Sequence, residues 1–336
     1  MIDRDAERMD CGVCVEPGRF ELESRPVPGI APEGWVLVDI AAIGICGTDY
    51  HIFEGKHPFL AYPRVIGHEL SGHVAEGPDA GRLVTINPYL SCGTCRACRR
   101  GKPNCCAAIE VLGVHRDGGM CRRIAVPRDN LYPADGLDPI QAAMVEFLAI
   151  GAHAVARSRV GSGDLVLVAG AGPIGLGTAI FARLAGAKVH LLDRSAARLK
   201  LMADRFGFTE SHLVGENPLH GPAAEGFDAV FDATGNAAAI EAGFPLVAHG
   251  GSTILVSVVK DDITFKDSEF HKRESCIIGS RNALASDFER VMQAIRDGHV
   301  PTDAIASEVL PLAEMPDRFP KLAQNREHIV KVLVTP

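Results

Sequence analysis

The sequence predicts an α/β protein with two domains, in which a β-rich domain is followed by a doubly wound parallel sheet. Its 336 residues are too many for one ordinary core and suggest two domains of about 100 to 200 residues each. Over the first 150 residues, short apolar runs such as GWVLVDIAAIGIC and GRLVTINPYL are separated by turn signals, which is typical of short strands. From about Val155, apolar strands alternate with helical stretches, which indicates a parallel sheet covered on both faces.

The strand and helix segments of the second region follow one another without a long interruption. In chain order they are DLVLVAGAGPIG, AKVHLLDRSAARLKLMADRFG, FDAVFDATGNAAAIEAGF, GGSTILVSVV and ESCIIGSRN. The last stretch, from about Val291, contains the amphipathic helix DFERVMQAIRDG and ends in a closing strand, EHIVKVLVTP. Because this stretch is too short to be a domain, we expect it to return and pack on one of the first two.

Charge and composition exclude several classes of function. The formal net charge is -8, which argues against nucleic acid as a partner, because phosphate binding needs a basic face. The local basic cluster RACRRGK, residues 96–102, is interpreted as a solvated lobe. The uncharged run Leu165–Ala182 has the length of a membrane span, but its four glycines and Pro173 indicate a strand, a turn and a helix instead. We therefore expect no membrane partner.

The sequence predicts a cytoplasmic protein. The opening MIDRDAERMD alternates acids and bases and lacks the apolar core of a signal peptide. Ten cysteines in a compartment that keeps thiols reduced are unlikely to form a disulfide framework. Five of them lie within residues 92–106, which suggests a metal site.

A glycine-rich turn predicts a dinucleotide site. GAGPIG, residues 170–175, directly follows the apolar strand LVLVA and opens a helix. In this context Gly170 permits the tight turn, Gly172 lets backbone approach a pyrophosphate, and Gly175 allows close packing of helix on strand. The helix amides and dipole then favour the phosphates. The alternative is that the glycines serve the turn alone. The turn residues predicted to bind the cofactor are Gly170, Gly172, Pro173, Ile174 and Gly175.

The acid after the next strand predicts which dinucleotide binds. KVHLLD ends at Asp193, eighteen residues after Gly175, where a carboxylate can accept hydrogen bonds from both ribose hydroxyls of NAD. A 2′-phosphate would be repelled there, so the sequence favours NAD over NADP. Arg194 and Arg198 lie close enough to weaken this preference, and Arg198 is included among the predicted cofactor-binding residues.

The stretch CGTCRACRRGKPNCC predicts a structural zinc site. Cys92, Cys95, Cys98 and Cys106 have the spacing C-x2-C-x2-C-x7-C, and four thiolates can surround one ion tetrahedrally at about 2.3 Å. An iron–sulfur ferredoxin would place its fourth cysteine sooner and follow it with proline. Four protein ligands leave no open position. Cys105 competes as the fourth ligand, and unpaired loop thiols are the alternative.

Three further stretches predict a second zinc site with an open position. GICGTDYHIFEG supplies Cys46, RVIGHELSG supplies His68 and Glu69, and MVEFLAIGAHA supplies Glu146. A thiolate, an imidazole and a carboxylate form the mixed donor set of catalytic zinc. A carboxylate in an apolar segment such as that of Glu146 is costly unless it is paired or metal-bound. Glu69 and Glu146 are therefore alternative or exchanging third ligands. Taken singly, these residues would be a buried thiol, a core histidine and an exposed acid.

With these residues assembled, the chain resembles the zinc-dependent medium-chain dehydrogenase/reductase family, the alcohol dehydrogenases, over essentially its whole length. The matching motifs, in the family's order, are GICGTDYH, GHE, CGTCRACRRGKPNCC, VEFLAIGAHA and GAGPIG. GTDYH and Glu146 resemble the polyol and threonine dehydrogenase branch. HPFLAYPRVIGHELSG, VLGVHRDGG and IIGSRNA resemble the group of L-galactonate and L-gulonate 5-dehydrogenases and starvation-sensing dehydrogenase-like proteins. One departure is Phe147, where the family usually has proline, and it puts the position of the Glu146 carboxylate in doubt.

The resemblance implies a division of the chain and its oligomeric state. A GroES-like catalytic domain would comprise residues 1–152 and be completed by residues 291–336, with a Rossmann NAD-binding domain at residues 153–290. The active site would lie in the cleft between them. The resemblance also implies a homodimer or homotetramer, with catalytic Zn²⁺, structural Zn²⁺ and NAD as cofactors.

The resemblance and the residues together predict oxidation of a secondary alcohol of a polyol or sugar acid to a ketone. Thr48 would take the substrate proton and pass it toward the nicotinamide ribose, and His51 would release it to solvent. Asp49 is expected to hold the loop rather than react. Arg281, with Asn282, is expected to meet a substrate carboxylate or the cofactor. The alternative role of Thr48 and His51 is hydrogen bonding within the loop.

The sequence leaves two alternatives to a dehydrogenase. One is a regulatory or binding protein with little turnover on the same fold. The intact set of residues that argues against it is Cys46, Thr48, His51, His68 and Glu69. The other is a zinc-free quinone reductase, which Cys46 and the four-cysteine lobe disfavour.

Overall fold

The computed structural model describes residues 7–56 and 61–336 of the chain. The first six residues of MIDRDAERMD and the letters HPFL that open the motif HPFLAYPRVIGHELSG lie outside the described residues.

Strands and short helices dominate the first part of the chain, and strands alternate with longer helices afterwards. The strands are β1 (Arg8–Glu16), β2 (Arg19–Pro26), β3 (Trp35–Gly44), β4 (Arg64–Val65), β5 (Glu69–Val74), β6 (Leu83–Ile86), β7 (Tyr89–Leu90), β8 (Glu110–Val111), β9 (Arg123–Pro127), β10 (Leu131–Pro133), β11 (Leu165–Ala169), β12 (Lys188–Asp193), β13 (Ser211–Leu213), β14 (Phe227–Asp232), β15 (Val247–Leu255), β16 (Cys276–Gly279), β17 (Ala306–Pro311) and β18 (Lys331–Thr335). The α-helices are α1 (Gly47–Phe53), α2 (Arg96–Arg99), α3 (Pro139–Ala143), α4 (Val145–Ser158), α5 (Pro173–Leu184), α6 (Ala196–Phe206), α7 (Ala237–Gly243), α8 (Asp267–Lys272), α9 (Ala285–Arg296), α10 (Thr302–Ile305) and α11 (Met315–Gln324). The 3-10 helices are Pro103–Cys105, Arg128–Asn130, Gly221–Ala223, Phe244–Leu246 and Leu312–Glu314.

The chain divides into two compact units. The first comprises the chain up to Glu146 together with Met292–Gly298 and Ile305–Pro336, and the second comprises Phe147–Val291 and His299–Ala304. The division falls inside α4, as does the boundary that the sequence places at residue 152. The bounds of the domains stay a prediction.

The first unit is built on sheets that are antiparallel except where β17 pairs parallel with β18. Its largest sheet has the strand order β10-β6-β5-β3-β18-β17, with β9 also paired to β3, and a smaller sheet has the order β2-β1-β4. The C-terminal strand β18 pairs with the end of β3, where Leu333 lies opposite Gly44. This pairing brings the last residues of the chain beside the segment that leads to Cys46.

An aromatic cluster in the first unit fixes the short helix α1. Phe20, Tyr50 and Phe53 surround Phe319 of α11, with ring centroids 5.0 to 5.5 Å from that ring. Phe319 is fully buried, and each such aromatic pair contributes about 0.5 to 1.5 kcal/mol beyond its buried area. Two of the three rings belong to α1, so the cluster holds the helix that follows Cys46.

The second unit contains a six-stranded parallel sheet. Its order is β13-β12-β11-β14-β15-β16, and every residue of the central strand β11 is buried, as expected for a sheet covered on both faces. The direction of strand order reverses between β11 and β14, and in such sheets ligands bind at the carboxyl ends of the strands beside the reversal. The predicted α/β class with a doubly wound sheet is confirmed.

The uncharged run Leu165–Ala182 forms β11, the glycine turn and the first part of α5. Among the helices of residues 7–56 and 61–336, none combines the length and the apolar character needed to cross a bilayer.

Candidate metal centres and cofactor turn

Cys46 lies at the amino-terminal end of α1 and caps the helix. Its backbone is extended, with φ -98° and ψ 160°, and Oδ2 of Asp49 accepts a hydrogen bond from its amide at 2.8 Å. Because the other end of α1 is packed through Tyr50 and Phe53, the helix direction is fixed at both ends. The sulfur of Cys46 is therefore held in place by its own helix cap and by the aromatic cluster.

Asp49 also determines the position of His68. Its carboxylate is fully buried; Oδ1 accepts a hydrogen bond from the Gly67 amide at 3.3 Å and lies 3.7 Å from Nδ1 of His68. Burial raises the pKa of Asp49, while His68 and the backbone hydrogen bonds work in the opposite direction. Asp49 holds the loop as the sequence suggests, and it does so by linking α1 to the turn before β5.

The structure brings Cys46, His68 and Glu69 together. Their candidate ligand atoms all lie within 4.8 Å of one another. His68 is 5% exposed and Glu69 is fully buried. Nδ1 of His68 is a buried nitrogen with no hydrogen-bond partner among the described residues. A thiolate, an imidazole and a carboxylate at this separation can hold one zinc ion and leave a coordination position open.

Glu69 has a cationic partner that the sequence reasoning missed. Nζ of Lys331 donates to both carboxylate oxygens, at 2.7 and 2.6 Å, and to the Ile45 carbonyl at 3.1 Å. Lys331 is 2% exposed and opens the C-terminal strand β18. Across the sheet, Gly44 faces Glu69, and any Cβ at position 44 would overlap the carboxylate. The absent side chain of Gly44 makes the space that the Glu69 carboxylate occupies.

Glu146 lies beside this group but outside the set of three. It is 3% exposed, and its Oε1 accepts a hydrogen bond from the phenol of Tyr89. Burial raises the pKa of Glu146 to about 7, against the opposing effects of His68 and Tyr89. Phe147, which stands where the family usually has proline, is 1% exposed. Tyr89 is a second partner that the sequence reasoning missed.

The buried acids of this centre require a positive charge. They are the carboxylates of Asp49, Glu69 and Glu146, joined by the partly buried thiol of Cys46, and Lys331 supplies one positive charge among them. Burial alone would lower the pKa of His68, but the charges of Cys46 and Asp49 raise it well above its usual value. Uncompensated buried charges are strongly unfavourable, and a bound divalent cation would be the largest local positive charge. The donor set and the charge balance both fit zinc.

Thr48 and His51 lie on α1, within one turn of each other. Sγ of Cys46 is 3.7 Å from the Oγ1 of Thr48, so the hydroxyl is adjacent to the candidate metal ligand. His51 is exposed. Partial burial lowers the pKa of His51, and the positive charges of Arg326 and Lys56 lower it further. A histidine kept neutral at the surface is suited to accept a proton and release it to water.

Arg326, whose positive charge lowers the pKa of His51 more than that of Lys56 does, is fixed by two contacts. The guanidinium of Arg326 lies 4.6 Å from the centre of the Tyr50 ring and forms an ion pair with Glu54. Both partners belong to α1 or to its carboxyl end, so Arg326 is held beside the helix that carries His51. No motif in the sequence points to Arg326.

The four predicted cysteines of the lobe are brought together. Ligand atoms of Cys92, Cys95, Cys98 and Cys106 lie within 4.8 Å of one another. The Cys95–Cys98 and Cys92–Cys106 sulfur pairs are each 3.5 Å apart, close to the ~3.8 Å edge of a tetrahedron with ~2.3 Å metal–sulfur bonds. Cys105 is exposed and is not part of this group.

Hydrogen bonds from a backbone amide and a hydroxyl stabilise the thiolate form of Cys92 in the lobe. The Cys95 amide donates to Sγ of Cys92 at 3.4 Å, and the hydroxyl of Thr94 donates to the same atom at 3.7 Å. Hydrogen bonds from Thr94 and Cys95 lower the pKa of Cys92 to about 6. A thiol that ionises near neutral pH is the form that binds metal.

The glycine turn follows β11 as the sequence predicts. Gly170 has φ +96°, a conformation that favours glycine. A Cβ on Gly175 would overlap the Gly170 carbonyl, so helix and turn can pack at this distance only without a side chain there. Gly172 caps α5 and faces open space, while Pro173 and Ile174 begin the helix. The amides at the start of α5 are therefore available to an anion.

Asp193 ends β12 and joins the two loops beside the turn. Its Oδ2 accepts a hydrogen bond from the Ala171 amide at 2.7 Å, and Oδ1 accepts one from the Ser195 amide at 2.8 Å. Each oxygen retains capacity for a further hydrogen bond from a ribose hydroxyl. Arg198 lies near the same loop, with Nη1 3.5 Å from the Ala171 carbonyl.

Arg281 and Asn282 follow the edge strand β16. Arg281 is exposed, and Asn282 adopts φ +52°. The strands of this sheet are parallel, so Arg281 lies at the same carboxyl edge as the glycine turn after β11. This position suits contact with cofactor or substrate.

Two family models match the chain. Residues 32–136 match the alcohol dehydrogenase GroES-like domain, and residues 173–297 match the zinc-binding dehydrogenase domain. The first match covers Cys46, His68, Glu69 and the four-cysteine lobe. The second begins at Pro173, within the glycine turn.

Full-length relatives have related activities. The chain is 38% identical to L-galactonate-5-dehydrogenase from Escherichia coli (strain K12) over 97% of its length and 99% of that protein. It is 33% identical to D-altritol 5-dehydrogenase from Agrobacterium fabrum, over 91% of its length and 94% of that protein. The crystal structure of the rspB alcohol dehydrogenase from Escherichia coli CFT073 with NADH is similar at 27% identity and a TM-score of 0.91, covering 98% of this chain and 100% of that one.

Proposed function

This chain belongs to the zinc-binding alcohol dehydrogenase family, and we propose that it oxidises a secondary alcohol of a sugar acid or polyol to a ketone with NAD. The single observation that carries the proposal is the buried group of Cys46, His68 and Glu69 in a chain of this family. The cofactors are zinc and NAD. The family and the enzyme class predicted from the sequence are confirmed.

Cys46, His68 and Glu69 are proposed to hold the catalytic zinc. Their donor atoms lie closest together, which supports Glu69 over Glu146 as the third protein ligand. Glu146, bound to Tyr89, is proposed to act from the rim of the site. Zinc supplies Lewis acidity that lowers the pKa of the substrate hydroxyl. The lobe sulfurs of Cys92, Cys95, Cys98 and Cys106 are proposed to hold the structural zinc.

Thr48 and His51 are proposed to carry the substrate proton. The Thr48 hydroxyl lies next to Cys46 and would accept the hydroxyl proton of the substrate. Thr48 would donate its own proton toward the nicotinamide ribose, and His51 would pass that proton to water. The lowered pKa of His51 keeps it neutral and able to accept a proton near neutral pH.

The glycine turn and Asp193 are proposed to bind NAD. The amides at the start of α5 would hold the pyrophosphate, and the Asp193 carboxylate would accept hydrogen bonds from the adenosine ribose. Bound NAD would supply the hydride acceptor, and the protein would orient the two reactants. Arg198 is proposed to contact the adenosine side of the cofactor, and Arg281 to contact the cofactor or a substrate carboxylate.

The substrate class is inferred from two relatives whose names state a substrate, L-galactonate-5-dehydrogenase and D-altritol 5-dehydrogenase. One acts on a sugar acid and the other on a polyol, and both names specify a 5-dehydrogenase. We propose that this chain likewise oxidises a hydroxyl-bearing carbon near the end of a C6 chain, and that a substrate carboxylate contacts Arg281.

A substrate screen tests the proposal directly. Zinc-loaded protein would be incubated with C5 and C6 aldonates and alditols, NADH formation would be followed, and zinc would be measured in the same sample. We expect turnover with at least one aldonate or alditol, two zinc ions per chain, and a higher kcat/KM with NAD than with NADP. Full zinc occupancy with no turnover on the whole panel would contradict the proposed activity.

Location and assembly are also proposed. A reducing cytoplasm would keep the four lobe thiols available to zinc and supply NAD. A homodimer or homotetramer is proposed, because β16 is an edge strand of the parallel sheet, with no partner on its outer side in the part of the chain that the structure describes and with Ile277 36% exposed. Light scattering on purified protein distinguishes these states from a monomer.

A further inference from the structure

Two buried cysteines face one another away from both metal centres. Cys11 lies in β1 and Cys121 shortly before β9, and each is 2% exposed. They form an isolated antiparallel bridge. Neither residue belongs to the two groups of candidate metal ligands, and the proposed reaction does not use them.

The backbone geometry suits a covalent bond between these two residues. The hydrogen bond between the two segments runs from the Gly12 amide to the Met120 carbonyl at 2.7 Å, one residue past the cysteines, while the Cys121 amide donates to Gly119. This is the pattern of a non-hydrogen-bonded antiparallel pair, in which Cα atoms are about 4.5 Å apart. That separation lies within the range of about 4.4 to 6.8 Å found for disulfides.

The two thiols differ in acidity. A hydrogen bond from Cys121 lowers the pKa of the Cys11 thiol, and the positive charge of Arg25 lowers it further. The same hydrogen bond, together with burial, raises the pKa of Cys121. Arg25 is held in place by Glu23 at 2.9 Å and Asp117 at 2.8 Å. One thiol therefore ionises first while the other keeps its proton, and the thiolate is the nucleophile in thiol oxidation.

We propose that Cys11 and Cys121 form a reversible disulfide when the protein meets hydrogen peroxide. The Cys11 thiolate attacks one peroxide oxygen, the O–O bond breaks, and a sulfenic acid and hydroxide form, the latter taking up a proton to give water. The Cys121 sulfur then displaces the sulfenic hydroxyl, which leaves with the Cys121 proton as a second water. Two thiols and one peroxide thus give one disulfide and two waters, and a dithiol reductant reverses the change.

The bond would fasten a segment that lies next to the candidate metal site. Gly118, Gly119 and Met120 donate to the backbone carbonyls of Val65, Gly67 and Ile66 at 2.8, 2.9 and 3.0 Å. This backbone leads directly into His68. A disulfide between positions 11 and 121 also closes a long loop, which stabilises the folded state by constraining the unfolded chain.

Peptide mapping tests the inference on the full-length, zinc-loaded protein. After titration with hydrogen peroxide, free thiols are alkylated and the protein is digested with trypsin without reduction. The Cys121 peptide is DGGMCR, and the Cys11 peptide, MDCGVCVEPGR, also contains Cys14. Cys14 is fully buried in the same strand and burial raises its pKa to about 12, so Cys14→Ala is the matched control.

We expect the linked peptides in the wild type and in Cys14→Ala, their loss on dithiothreitol treatment, and a higher melting temperature of the oxidised form. Cys11→Ala and Cys121→Ala should show neither the link nor the rise. Zinc content is followed with a colorimetric chelator. The inference is overturned if the link fails to form in zinc-retaining wild type and Cys14→Ala, if it appears only after the lobe has released zinc, or if it persists in Cys11→Ala. The first two outcomes are measured without a variant at position 11. The test therefore still decides the question if Cys11→Ala fails to fold.

Discussion

The four-cysteine lobe and the centre at Cys46 differ in how far apart in the sequence their metal donors lie. The lobe takes all its donors from residues 92–106 and stabilises the exposed sulfur of Cys92 by a hydrogen bond from its own backbone, and of its four donors Cys106 alone is buried. The other centre takes its donors from the amino-terminal end of α1 and from the turn and strand that carry His68 and Glu69, and the last two residues are buried. The lobe is therefore a local structure that its metal can organise. The Cys46 centre depends instead on the tertiary fold, because each of its buried charges needs a partner from elsewhere in the chain.

Removing Cys46 should give the largest effect on activity. Cys46→Ala takes away one donor of the catalytic centre, and we expect kcat/KM to fall by about 10²- to 10³-fold or more, the scale seen when a group stabilising developing charge is lost. Zinc content should fall from two ions to one while the far-UV circular dichroism stays unchanged. Loss of the fold together with activity would show that this centre, too, is structural.

Removing a lobe cysteine should instead affect the fold. Cys95→Ala should lose one zinc and lower the melting temperature by about 5 to 10 °C, because binding energy of a structural metal is folding energy. The soluble fraction should retain kcat within about tenfold. Cys105→Ala, which changes the exposed neighbour outside the group, is the matched control and should keep both zinc ions. Equal damage from both variants would contradict the assignment of the fourth ligand to Cys106.

Removing the partner of Glu69 should destabilise the buried centre alone. Lys331→Met leaves a fully buried carboxylate without its cation, which costs about 3 to 5 kcal/mol in comparable pairs. Urea unfolding measures the loss, and Lys331→Arg is the control that retains the charge. Adding Glu69→Gln to Lys331→Met should recover part of the stability. If Lys331→Met unfolds like the wild type, zinc alone compensates Glu69.

The pH dependence of turnover should depend on Arg326. Because burial and the charge of Arg326 lower the pKa of His51, His51 stays neutral below the usual histidine value of about 6.5, and the acid limb of the kcat profile should lie below that pH. Arg326→Gln removes a positive charge, favours protonated His51 and should move the limb upward by a few tenths of a unit, since exposed charges interact weakly. Arg318→Gln, on α11, is the control. An unmoved limb would show that His51 does not carry the proton.

The sequence was sufficient for features whose atoms come from one short stretch. The cofactor turn at GAGPIG and the four-cysteine lobe can be predicted from residue spacing, because the local backbone determines the geometry of both. Tyr89 and Lys331 could not be placed, because their contacts with Glu146 and Glu69 join distant segments. A signal for Lys331 was present, since a lysine within the apolar strand EHIVKVLVTP is costly unless it is paired. Nothing comparable marks Tyr89, which resembles an ordinary strand aromatic.

The space above Gly44 has a consequence for anyone who builds mutant libraries of this protein. Because the Glu69 carboxylate occupies the volume of a side chain at position 44, even alanine there would push Glu69 away from Lys331 and out of the centre. A saturation library at position 44 should therefore return glycine alone under selection for metal retention, whereas one at Gly47, whose Cβ direction is open, should return many residues. A screen of positions 44 and 47 would thus show whether metal retention depends on the position of the Glu69 carboxylate, without a substitution of Glu69 itself.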